Sequence, residues 1–233
     1  MKMTKKKVFV AALAISLVAI VSMGTLAWFS DSKEVTNNFL IAESDDDTKE
    51  DIFSIDLWEN TPDGDEDRDG QEYEDILPGS LLEKDVIVKN TGYYDQYVRV
   101  IVTISDAAAW LQALPTGMTA EEAAEYIFDG LDLDKWDHIY NNLSESNGVI
   151  PENLIYVLYY HDTLEEGEEI NVFDNIKIPE EMDQEQAARF DNEFTITVKA
   201  QAVQTENVVP ATITAGKTAA WEAFNTVGMS IAD

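Results

Sequence analysis

The chain has 233 residues, 46 of them acidic against 15 basic, for a net charge of −31 at neutral pH. A surface of that sign repels nucleic acid and anionic membrane, which removes both as partners. Apolar residues make up 45% and aromatic ones 10%, too many for a disordered polyanion, and the absence of cysteine excludes a disulfide-stapled scaffold, which for an exported chain argues against a eukaryotic secreted protein and for a bacterial surface protein.

Residues 1 to 27 open with MKMTKKK, continue through the uncharged run VFVAALAISLVAIVSM and end among the small residues Gly24, Thr25 and Ala27. Basic, apolar and small segments in that order describe a secretory signal peptide. Signal peptidase is expected to cut after Ala27 and free Trp28. An uncleaved anchor with its lysines inside is the competing reading, and both place residues 28 to 233 outside the cell. Cleavage removes four of the 15 basic residues and none of the 46 acidic ones, leaving a net charge of −35. The membrane is then met only through the signal before cleavage.

A first strand is expected over VTNNFLIA at 35 to 42, in a donor-strand segment and acidic linker spanning 28 to 50. The β domain is expected over 51 to 233. It begins with DIFSIDLW at 51 to 58, whose alternation turns Phe53, Ile55 and Leu57 inward. An acidic loop at 59 to 75 and the turn LPGS at 77 to 80 precede the strand KDVIVKN at 84 to 90, and NTG at 90 to 92 makes the next turn. YVRVIVTI at 97 to 104 puts Val98, Val100, Val102 and Ile104 on one face.

The stretch 105 to 150 reads as a helical insertion. It holds DAAAWLQAL at 106 to 114 and TAEEAAEYIFDG at 119 to 130, where Thr119 and Glu122 form a capping box and Gly130 stands where a C-terminal cap would go. After Pro151 come strands LIYVLYY at 154 to 160 and EEINVF at 168 to 173, and a helix over EEMDQEQAARF at 180 to 190. EFTITVKAQAVQ at 193 to 204 carries the clearest period of two, with Phe194, Ile196, Val198, Ala200 and Ala202 on one face. A last helix, KTAAWEAFNTV at 217 to 227, packs Trp221 and Phe224 down on the sheet. Seven or eight strands rich in Val, Ile, Tyr and Phe, with short helical insertions, predict an all-β antiparallel sandwich.

Several of these stretches carry a family likeness. GTLAWFSDSKEVTNNF at 24 to 39 resembles the GT-x-A-x-F-x-D signal exit of the SipW-dependent secreted biofilm-matrix family, the TasA, camelysin and BsaA-like proteins. PGS at 78 to 80, VIVKNTGYYDQYVRVIVTI at 86 to 104, FTITVKAQAVQTEN from 194 and AAWEAF at 219 to 224 resemble it as well, whereas 59 to 75 and 105 to 150 read as insertions of this chain's own. The resemblance implies a jelly-roll sandwich, exported by Gram-positive bacteria and built into extracellular matrix fibres with itself and other matrix proteins. Cleavage would make the tail bearing Trp28, Phe29, Val35, Phe39 and Ile41 a free strand-former. An open sheet edge on a neighbouring copy can accept such a strand, a head-to-tail contact that need not close. Residues 35 to 42 completing their own sandwich is the competing reading, and a monomeric surface module for polysaccharide or host protein is the rival function.

Within the acidic loop, DEDRDG at 65 to 70 has the D-x-D-x-D-G spacing of a calcium loop. Asp65, Asp67 and Asp69 would give side-chain oxygens and Gln71 a backbone carbonyl, but position twelve is Ile76 where a bidentate glutamate belongs, so Glu72, Glu74 or Asp75 would close the shell. A solvated acidic loop is the alternative. Camelysin relatives are described as metalloproteases, yet H-E-x-x-H is absent and His138 and His161 are the only histidines, so no zinc enzyme is expected. Without cysteine or a G-x-S-x-G elbow, no nucleophilic enzyme is expected either. The aromatics at 91 to 97 and 158 to 160, with Trp58, Trp110, Trp136 and Trp221, are candidates for a sugar-stacking platform or for the rim of the core.

Overall fold

The computed structural model describes residues 30–34, 53–60, 65–68, 70, 73, 76–141, 150–180, 194–205, 208, 218–229 and 231, with the backbone alone at 30–34 and 138–140. The chain divides into two units, Met1–Ser30 and Asp31–Asp233. Apart from Ser30 the first lies outside the described residues, as do the signal peptide, the strand expected at 35 to 42 and, beyond Glu180, the helix expected at 180 to 190.

The described strands are β1 (Ser30–Glu34), β2 (Ile55–Asn60), β3 (Glu66–Asp67), β4 (Leu81–Asn90), β5 (Gln96–Ile104), β6 (Phe128–Asp129), β7 (Trp136–Asn141), β8 (Leu154–Tyr160), β9 (Glu169–Lys177) and β10 (Ile196–Gln204). They form two five-stranded sheets, ordered β1-β10-β5-β8-β7 and β3-β2-β4-β9-β6. The registered pairings are all antiparallel, and the chain changes sheet from β1 to β2, from β4 to β5, from β5 to β6, from β6 to β7, from β8 to β9 and from β9 to β10. The fold is an all-β antiparallel sandwich with short helical insertions.

Period two explains why it closes. Ile55 and Leu57 of β2, Val86 and Val88 of β4, Val98, Val100, Val102 and Ile104 of β5 and Val198, Ala200 and Ala202 of β10 all lie in one buried core. Phe53, Phe194 and Ile196 pack against it half-buried. The faces assigned from alternation are therefore the faces that meet. Removing such apolar area from water stabilises by about 25 cal/mol per Å².

The first sheet is buried on its other face too. Helix α3 (Ala219–Val227) covers Ile101, Val157, Tyr159 and Val203 with Ala220, Ala223 and Phe224, and Trp221 packs beside them. Thr218 caps it, accepting from Trp221 N at 3.0 Å. That explains why β8 is a near-continuous apolar run: both its faces are dry.

Two helices sit in the stretch after β5. Helix α1 (Ala107–Ala113) buries Trp110, whose ring meets Phe194 edge-on at 5.5 Å. Helix α2 (Ala120–Ile127) has the expected capping box, with Glu122 N donating to Thr119 Oγ1 at 3.2 Å and Thr119 N donating to Glu122 Oε2 at 2.8 Å. It ends earlier than expected, because Phe128 is drawn into the core, stacked on Phe173 at 4.9 Å and edge-on to Tyr156 at 5.3 Å. Phe128–Asp129 then pair with β9 as β6, and Gly130 turns the chain at φ 88°. A Cβ on Gly130 would sit 2.5 Å from Asp174 Oδ2. The same stretch also holds β7, an edge strand on β8 where sequence alternation had suggested only helices.

Candidate functional site

Two regions bear on function, the N-terminal edge of the first sheet and the acidic loop. β1 lies at that edge beside β10. β10 runs nine residues and pairs β5 along all of them, so its other flank, where the five residues of β1 lie, is the sheet's margin. The cleavage pair Ala27 and Trp28, and the donor-strand residues Trp28, Phe29, Val35, Phe39 and Ile41, lie outside the described residues on either side of β1.

At the base of the acidic loop, β3 folds back on β2, placing Asp67 opposite Glu59 and Glu66 opposite Asn60. Arg68 fastens the hairpin: it pairs with Asp56 at 2.8 Å and Glu66 at 2.8 Å and lies 5.6 Å over the Trp58 ring. Its hydrogen bonds to Asp56 and then Glu66 hold the guanidinium above its ordinary range. Of the calcium set, Asp65 is exposed and Asp67 half-buried, while Asp69, Gln71 and Glu74 lie outside the described residues. Among the described residues no three acidic or histidine side chains gather at metal distance.

Behind the hairpin is a pair that alternation alone could have flagged. Glu59 continues the inward phase of Ile55 and Leu57, and Lys84 that of Val86 and Val88. Both are buried, Glu59 1% and Lys84 5% exposed, and Lys84 Nζ donates to Glu59 Oε1. Tyr73 donates to the Glu83 carbonyl, and burial first, then the charges of Glu59, Glu83 and Asp67, push its phenol up to about 12.

The NTG turn is a structural corner. Asn90 Oδ1 accepts from Gly92 N at 2.9 Å and Gln96 Nε2 at 2.7 Å, while its Nδ2 donates to the carbonyls of Tyr94 and Leu164, both at 2.9 Å. A Cβ on Gly92 would lie 2.7 Å from Ser54 N, so glycine lets the two segments touch.

The remaining candidates separate cleanly. His161 Nδ1 bonds Asp137 Oδ2 at 2.6 Å, which raises the imidazole's pKa, and only the backbone of His138 is described. Trp58, Trp110 and Trp136 are buried and Trp221 is half-buried under α3 packing, so these rings belong to the core and its rim. Trp136 Nε1 donates to the Asn171 carbonyl at 2.9 Å on the other sheet. Among the described residues the exposed aromatics are Tyr93 and Tyr94 at the turn into β5. Among the described residues no helix is long and apolar enough to cross a membrane.

No family model, no curated protein and no solved structure matches this chain.

Proposed function

We propose that the chain is a secreted, non-enzymatic structural subunit or accessory of bacterial extracellular matrix fibres, of the SipW-dependent kind its motifs resemble, assembling by head-to-tail strand exchange. The observation that carries this reading is the place of β1, a strand near the N-terminus at the margin of a sheet, beside a longer strand. Such a strand makes the same main-chain hydrogen bonds whether it belongs to its own molecule or to the next. The exit motif GTLAWFSD runs directly into it, so cleavage after Ala27 would release the end that has to move. Because the tail and the margin are different surfaces of one protein, each exchange leaves a tail and a margin unused at the ends. The product is a filament.

Electron microscopy of the purified chain beginning at Trp28, at high concentration with and without calcium, tests this. Filaments are expected, and deleting residues 28 to 38 is expected to abolish them. A chain from Trp28 that stays monomeric while polysaccharides raise its melting temperature would establish the surface-binding module instead.

A further inference from the structure

We propose that Lys84 and Glu59 condense to an intramolecular amide that welds β2 to β4 at the base of the acidic loop. Both groups come from inward positions of neighbouring strands. Glu59 faces Val86 in register, so Lys84 is its diagonal neighbour on the same face, within reach of a long side chain. The two side chains are 2% and 7% exposed.

The pair is incompletely satisfied as it stands. Lys84 Nζ donates to Oε1, and Oε2 of the same carboxylate is buried with no hydrogen-bond partner among the described residues. A buried ion pair carries the desolvation of two charges, and an unpartnered buried oxygen adds to it. Condensation removes both buried charges and expels one of the two carboxylate oxygens as water, leaving a neutral amide. In bulk water the charged amine and carboxylate are favoured over the amide; a site that excludes water and disfavours charge reverses that preference. Holding the partners side by side supplies the orientation that raises effective concentrations in intramolecular reactions to about 10⁵–10⁸ M.

The step balances without a co-reactant. With the pair's shared proton on the carboxyl group, the Nζ lone pair attacks Glu59 Cδ. The N–C bond forms, one C–O bond breaks, and the departing hydroxyl takes a proton from Nζ and leaves as water. Nothing is oxidised or reduced. Asp67, paired directly opposite Glu59 on β3, is the carboxyl group placed to carry that proton from nitrogen to oxygen. The bond would close a loop between residues 25 apart and give a cysteine-free protein a crosslink that no reductant opens. It stands whether or not the chain forms fibres.

Intact mass spectrometry of the denatured exported chain decides it. The wild type is expected one water lighter than its sequence, and trypsin is expected to release segment 50 to 68 joined to segment 69 to 89, uncut after Lys84. Lys84→Arg, which keeps the positive charge but cannot condense, should have its full sequence mass and separate peptides. Asp67→Asn should leave a mixture of closed and open chains at the same time after synthesis. A folded wild type with the unaltered sequence mass and a free Lys84 overturns the proposal. A fully closed Asp67→Asn chain removes Asp67 from it.

Discussion

Arg99 of β5 holds its guanidinium 4.3 Å from the centre of the Phe224 ring on α3. It also donates to Gln201 Oε1 at 2.7 Å and to the Met229 carbonyl, just past the helix, at 3.2 Å. One buried side chain thus ties two strands of the first sheet to the helix that covers them. Phe224 is 1% exposed, so Phe224→Ala should cost about 3–5 kcal/mol, the usual range for a buried phenylalanine. Urea denaturation measures it, and a loss below about 1 kcal/mol would mean that α3 contributes little to the fold.

The Asn90 side chain makes four hydrogen bonds at a buried corner, its oxygen accepting two and its amide nitrogen donating two. Asn90→Ala removes all four; Gly92 N and Gln96 Nε2 each keep the Ser54 carbonyl and the Leu164 carbonyl keeps Gln96 N, so the expected loss is about 1–3 kcal/mol in all, the cost of the one group left without a partner and of the weakened corner. A Tm drop larger than that of a substitution at the exposed Tyr93 is the expected result. Equal drops would show that water replaces the amide at this corner.

His161 gives a pH dependence of definite sign. Its hydrogen bond to Asp137 raises the folded-state pKa above 6.5, so its contribution is fully present below that value and is lost as pH rises through the higher folded value. The imidazole is 56% exposed, and solvent screening keeps the effect under about 1 kcal/mol. The wild type should lose this increment on going from acid to alkaline buffer, and His161→Gln should not. Parallel stability curves for the two would remove the interaction from the account.

Assembly should respond to acid for a different reason. Residues 28 to 233 carry a net charge of −35, which would oppose close approach of identical subunits, and that repulsion weakens as carboxylates are protonated or screened. Light scattering of the chain from Trp28 is expected to show faster filament growth at mildly acidic pH, in calcium and at raised salt. Growth independent of all three would place the limiting step in strand release.

Alternation alone decided which residues of β2, β5 and β10 face the core, because a strand's side chains have a period of two whatever its partners are. Glu59 and Lys84 continue the same inner faces, but Glu59 reads from sequence as the start of the acidic loop, because a charge at an inward position looks like an interruption. The capping box of α2 was equally legible, being made of atoms three residues apart. Where that helix stops was not, since Phe128 leaves it for contacts with Phe173 and Tyr156, far along the chain. β7 was hidden likewise: its mixed polar and aromatic residues become a strand by pairing with β8. The Arg68 clasp and the placing of β1 against β10 belong to the same class. Local geometry repeats with the chain's own period and can be read from it, whereas a contact between distant segments depends on which chain packing buries the most apolar surface with the fewest stranded polar groups, and only the folded molecule resolves that competition.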